Sequence, residues 1–156
     1  MRKLIAMLLL LCLVLTGCGK DVSTWTFTAD DLSIEIPEDF IAINGEGFAE
    51  DMDFIFGLDP IAINGMRQEK AIFEAYGLNW DLESFGKFVM NANNVSASLE
   101  QKDNICFFTY TSNGFSYVVT LWETAEAFWI VQGYCPTEDY NTVKNDIWEI
   151  LSSVTV

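Results

Sequence analysis

The sequence predicts an α+β domain, an antiparallel β-sheet covered by helices, and three observations carry that prediction. Several short runs alternate apolar and polar residues, one Asn-Gly pair joins two such runs, and two other segments place apolar residues at helical spacing. Of the 156 residues, 51% are hydrophobic and 14% aromatic, with only 3 prolines, which excludes disorder and low-complexity sequence. A chain of this size buries about 70% of the surface its unfolded form exposes, so a single core suffices without a metal or a disulfide framework.

The elements follow in order. Trp25 and Phe27 alternate with threonines, and Leu32, Ile34 and Ile36 alternate with Ser33 and Glu35. That is the period-two pattern of a half-buried hairpin turning at Ala29-Asp30-Asp31 and ended by Pro37. Phe40 to Asn44 reads as extended, Phe54 to Gly57 as a short strand or a packed loop, and Ile61 to Phe73 as extended again. The pentapeptide Ile-Ala-Ile-Asn-Gly stands at 41–45 and at 61–65. It predicts two strands that each end in an Asn-Gly turn. A helix is expected from Asp81 to about Asn91, with Asp81 as its N-cap and Leu82, Phe85, Val89 and Ala92 on one apolar stripe that Phe88 widens.

Strands are then expected near 95–101, 104–111, 115–122 and 127–135. The turn Ser112-Asn113-Gly114-Phe115 fixes the register, because Asn-Gly supplies the two positive φ angles of a type I′ hairpin. Tyr110 then faces Tyr117, Phe108 faces Val119 and Cys106 faces Leu121. Ile105, Phe107, Val118 and Trp122 take the opposite face, so the sheet is apolar on both sides and covered on both. A last helix follows Pro136, with Thr137 as its cap, Glu138 and Asp139 at its positive end, and Tyr140, Val143, Ile147, Ile150 and Leu151 as its buried stripe.

The amino terminus has a different character. Arg2 and Lys3 precede an apolar run, Leu4 to Val14, that is too short for the ~20 residues a spanning helix needs. Leu15-Thr16-Gly17-Cys18 follows and resembles the bacterial lipobox, in which the cysteine thiol receives a diacylglycerol and the chain is cut just before it. The resemblance implies a signal peptide over 1–17, a lipidated Cys18 with a linker over 18–24, and a single domain over 25–156. The expected product is anchored to the cell membrane on its extracytoplasmic face. At ~3.6 Å per residue the linker holds the domain within roughly 20 Å of the lipid.

Element order carries a second resemblance. A hairpin closed by Ile36-Pro37, an irregular middle, a helix, an antiparallel meander, then Ala127-Phe128-Trp129-Ile130-Val131 running into a helix and Ser152-Ser153-Val154 is similar to the PsbP, Mog1 and DcrB group. The likeness implies an α/β/α sandwich and a compact binding or assembly factor, with no catalytic residues to carry over.

Composition narrows the chemistry. The chain has 8 Lys plus Arg against 23 Asp plus Glu, a formal charge of −15. Loss of Arg2 and Lys3 takes it to −17, so nucleic acid is excluded as a partner for want of a basic stripe. There is no histidine, which removes Ser-His-Asp and Cys-His arrangements. Cys106 and Cys135 lie on strands separated by a third at ~4.8 Å spacing, offset along them. Their Cα atoms are then more than the ~7 Å apart that a disulfide spans, so two free buried thiols are expected. Glu50, Asp51, Asp53 and Asp59 are the densest acidic cluster and the candidate calcium ligands, but no EF-hand loop is present and a solvated surface is the plainer interpretation. Gly45-Glu46-Gly47 lacks the strand, lysine and helix of a phosphate loop.

No catalytic, cofactor-binding or metal-ligating residue is therefore expected, and Cys18 is the one modified position. The expected function is a lipid-anchored, non-enzymatic binding or accessory protein with a protein or small-ligand partner. The competing functions are a small carboxylate-dependent enzyme acting on envelope glycans and a calcium-modulated module. An open apolar area on the sheet, bearing some of Trp25, Trp80, Trp122, Trp129 and Trp148, is the default partner site. Such a patch away from the acids favours binding, whereas two carboxyls facing each other in a cleft favour the enzyme.

Overall fold

A computed structural model describes residues 22–43 and 52–156. Cys18, the Asn44-Gly45 turn, Gly45-Glu46-Gly47 and the acids Glu50 and Asp51 lie outside the described residues. The architecture is α+β. Strands β1 (Thr24–Ala29) and β2 (Leu32–Pro37) form a separate two-stranded sheet. Strands β3 (Ile41–Ala42), β4 (Phe54–Leu58), β5 (Ile61–Glu69), β6 (Glu100–Lys102), β7 (Ile105–Ser112), β8 (Phe115–Glu123) and β9 (Ala127–Pro136) form a seven-stranded sheet. Its order is β3-β4-β5-β9-β8-β7-β6, antiparallel throughout. Helices α1 (Lys70–Ala75), α2 (Leu82–Ala92) and α3 (Tyr140–Ser152) complete the fold.

The expected hairpin register holds: Asn113 and Gly114 have φ of 51° and 82°, and Ser112, Tyr110, Phe108 and Cys106 face Phe115, Tyr117, Val119 and Leu121. Both faces of the large sheet are buried, as the two-sided apolar pattern requires. On one face, α3 places Val143, Ile147, Ile150 and Leu151 against Ile63, Val118, Trp129 and Val131. On the other, α2 places Leu82, Phe85, Val89 and Met90 against Cys106, Phe108, Val119, Leu121 and Phe128. The result is helix, sheet, helix. Cys106 and Cys135 are free and buried on opposite faces.

Several expectations are corrected. The β1–β2 hairpin does not join the large sheet; it forms a second layer beside α3, with Leu32, Ile34 and Ile36 in the same core. Period two specifies a face to bury, and packing against another sheet buries it as well as pairing does. Phe27 lies 5.0 Å from the rings of both Phe54 and Phe56, sealing the hairpin to β4. Asn64-Gly65 is not a turn but the middle of β5, where Gly65 leaves room for the Phe54 ring of the neighbouring strand. The turn between β4 and β5 is at Asp59-Pro60 instead. The extended run 61–73 ends at Glu69, and residues 70–75 are helical. Of the strand expected over 95–101, only the part from Glu100 is extended. Thr137 caps no helix: a hydrogen-bonded turn, Asp139 N–H to Pro136 O at 3.0 Å, delays the start of α3, and the Thr137 hydroxyl accepts from Ser116.

Candidate functional site

The candidate site lies on the α2 side of the sheet, where the chain leaves β5. Lys70 opens α1 with its backbone N–H bonded to Glu126 O at 2.9 Å. The helix is only six residues long and buries none of them, so propensity does not hold it; its ends do. Gly77, with φ of 74°, takes the left-handed conformation that stops the helix, and Leu78 N–H donates to Phe73 O at 3.0 Å across that stop. The reversal carries Trp80 back onto Phe73. Asp81 then starts α2 as expected, its Oδ1 accepting from Ser84 N–H at 2.8 Å.

The reversal gathers rings that are distant in sequence. Trp80 lies 4.9 Å from Phe73 and 4.8 Å from Phe88, and Phe73 lies 5.9 Å from Phe85 and 6.2 Å from Phe128. Phe85 stacks on Phe128 at 4.4 Å, which ties the group to the core. The same stretch of chain exposes large apolar side chains: Tyr76 is 81% exposed, Ile72 52%, Phe88 45% and Leu78 39%. The helix stripe was expected to bury Phe88 and Ala92, but both face outward and Met90 takes the inner position. Beside the rings is an open depression of about 420 Å³, lined by Phe73, Trp80 and Phe128 with Lys70 and the acids Glu74, Asp81 and Glu123.

The charges in the depression are largely engaged. Lys70 Nζ donates to Glu123 Oε1 at 2.8 Å and to Thr124 O at 2.6 Å, and it stands 5.1 Å from the centre of the Phe128 ring. Hydrogen bonds from Ser84 hold the Asp81 carboxyl below its ordinary value. The aromatic patch is therefore not away from the acids, and carboxylates do line the cleft. Of the three carboxylates, Glu123 is paired with Lys70 and Asp81 caps the start of α2.

The other sequence candidates do not converge. Asp53 accepts from Arg67 N–H at 2.6 Å before β4 begins, and Asp59 lies in the turn after it ends. A five-residue strand separates these two acids, so Asp53 and Asp59 do not share a site. Among the described residues no group of three His, Cys, Asp or Glu side chains is placed to hold a metal. Of the tryptophans, Trp122 and Trp129 are buried, Trp148 packs in the α3 layer, and Trp25 sits on Phe56 at 5.4 Å in the hairpin layer. Only Trp80 belongs to the site. Sequence reasoning missed Ile72 and Phe73, which fell inside a run read as a strand, and Tyr76, which lay just beyond it; the signal available was Ile72 and Tyr76 at helical spacing just before Gly77.

Comparison with known proteins places the fold and nothing finer. The chain is similar to the solution structure of cyanobacterial PsbP (CyanoP) from Synechocystis sp. PCC 6803, with a TM-score of 0.55 and 15% identity over 92% of this chain and 99% of that one. It is also similar to a crystal structure from Bacteroides thetaiotaomicron VPI-5482, with a TM-score of 0.53 and 14% identity, covering 84% of this chain and 47% of that one. The class defined is a PsbP-like α+β fold. No family model matches the sequence, and no curated protein does.

Proposed function

We propose that the protein is a lipid-anchored, extracytoplasmic binding or accessory protein without catalytic activity, and that it docks its partner on the α1–α2 aromatic surface. The observation that carries the docking is the exposure of Ile72, Tyr76, Leu78 and Phe88 around Phe73 and Trp80. A contiguous apolar area with a polar rim is the usual mark of a recognition surface, and large aromatic side chains are its common anchors. The anchor rests on the sequence Leu15-Thr16-Gly17-Cys18 after a short apolar run. No helix among the described residues is long and apolar enough to cross a membrane.

Absence of histidine supports the non-catalytic assignment, as does the engagement of Asp81 by Ser84 and of Glu123 by Lys70. The test is made in intact cells. A photoreactive residue at position 76 is expected to crosslink to one partner, and the same residue on α3 at Glu149 is not. Mass spectrometry of the purified chain is expected to find residue 18 at the amino terminus and acylated. Equal labelling from both positions, or an unmodified thiol at 18, would refute the respective half of the proposal.

A further inference from the structure

Resting on the docking surface just described, we infer that its occupant is a cationic, amphipathic segment of a protein partner, with a lysine or arginine entering the depression beside Trp80 and Phe73. Three carboxylates, from Glu74, Asp81 and Glu123, line the depression against the single ammonium of Lys70. An occupant of positive charge is therefore attracted locally, and the chain's overall charge of −15 attracts it at longer range.

The depression already contains an internal example of the contact. Lys70 sets its ammonium over the Phe128 ring while Glu123 and the Thr124 carbonyl take its protons. Trp80, between Phe73 and Phe88, offers a second aromatic surface to a cation, with Glu74 and Asp81 lining the same depression. Extent selects a protein segment over a small amine. Ile72, Tyr76 and Phe88 lie outside the lining of the 420 Å³ depression, so a ligand confined to it leaves them bare. A segment with apolar residues flanking its basic one covers both. A second copy of this chain brings like charge to the acidic rim, and so does an anionic bilayer; neither matches the surface.

The probe is a short synthetic peptide of alternating lysine and leucine, labelled and titrated against the full-length purified chain. Its controls are a glutamate–leucine peptide and a lysine–serine peptide of equal length. Binding of the first alone is expected. Tyr76→Ser combined with Phe88→Ser, both outward-facing, is expected to weaken binding by about tenfold or more. Glu74→Gln is expected to weaken it by about threefold, while Glu149→Gln, the same charge change on the opposite face of the sheet, leaves it unchanged.

Equal effects of Glu74→Gln and Glu149→Gln would overturn the inference in favour of diffuse attraction. Binding of the glutamate–leucine peptide, of vesicles to a Cys18→Ser chain, or self-association abolished by Phe88→Ser would each overturn it too. The in-cell crosslink separates this inference from the docking surface beneath it. A captured segment containing Lys or Arg supports both. One lacking them overturns the cationic assignment and leaves the surface standing, whereas no capture at position 76 removes both.

Discussion

Asp31 ties the hairpin layer to the large sheet. Its Oδ1 accepts from the indole N–H of buried Trp129 at 2.7 Å, and Arg67 Nε stands 3.6 Å away. Partial burial alone would raise the carboxyl, but hydrogen bonds from Thr124 and Trp129, with the Arg67 charge, outweigh it and hold Asp31 below its ordinary 3.8. A lowered carboxyl stabilises the fold above its unfolded value and stops doing so as pH falls through the folded one. Asp31→Ala is thus expected to cost about 1–3 kcal/mol at neutral pH by leaving the Trp129 N–H unpaired. Thermal melts from pH 7 down to pH 2 should show the part due to ionisation shrinking below 3.8. The cysteines give a second prediction. Burial pushes both thiols up, aided at Cys106 by Glu83, Asp81 and Glu123 and at Cys135 by Asp139. A thiol reagent at pH 8 is expected to label neither in the native protein and both after unfolding, because the thiolate is the reactive form.

Secondary-structure elements were legible wherever a local rule forced geometry. Asn113-Gly114 fixed the β7–β8 register because the turn leaves no other pairing, and Asp81 marked the start of α2 because its carboxylate has amides to cap. The rules failed where tertiary partners decide. Nothing local to Trp25–Ile36 says which sheet the hairpin covers, and Asn64-Gly65 carries the same letters as a turn while Phe54 needs it as a flat place to lie. Helix α1 is six residues long and offers only the single helical spacing of Ile72 and Tyr76, so the site it builds was anticipated in kind, as an open apolar area, and not in place. One close approach is testable at this scale. A side chain at Gly133 on β9 meets Ile147 of α3 and Ile63 of β5. Gly133→Ala is expected to destabilise by about 1–3 kcal/mol, read from the urea midpoint, without altering binding at the distant aromatic surface.

The molecule as a whole divides into two sides. One carries the hairpin and α3, the other α1 and α2 with the exposed rings. If Cys18 bears the anchor, Cys18→Ser is expected to shift the protein from the membrane fraction to the soluble one with an unchanged melting temperature, checked by fractionation and a thermal scan. The folded domain should not notice, since among the described residues its cores are built from Phe27 onward. The hairpin layer has one more property. Strand β1 begins at Thr24 beside β2, and near the other terminus Thr155 exchanges backbone hydrogen bonds of 2.9 Å in both directions with Ser33 of the same strand. Entry and exit are thus stitched to one seam, behind the sheet from Tyr76 and Phe88. A sensor chip, bead or fusion partner coupled through Val156 would present those rings to the bulk solution, which makes this chain suited to immobilised capture without redesign.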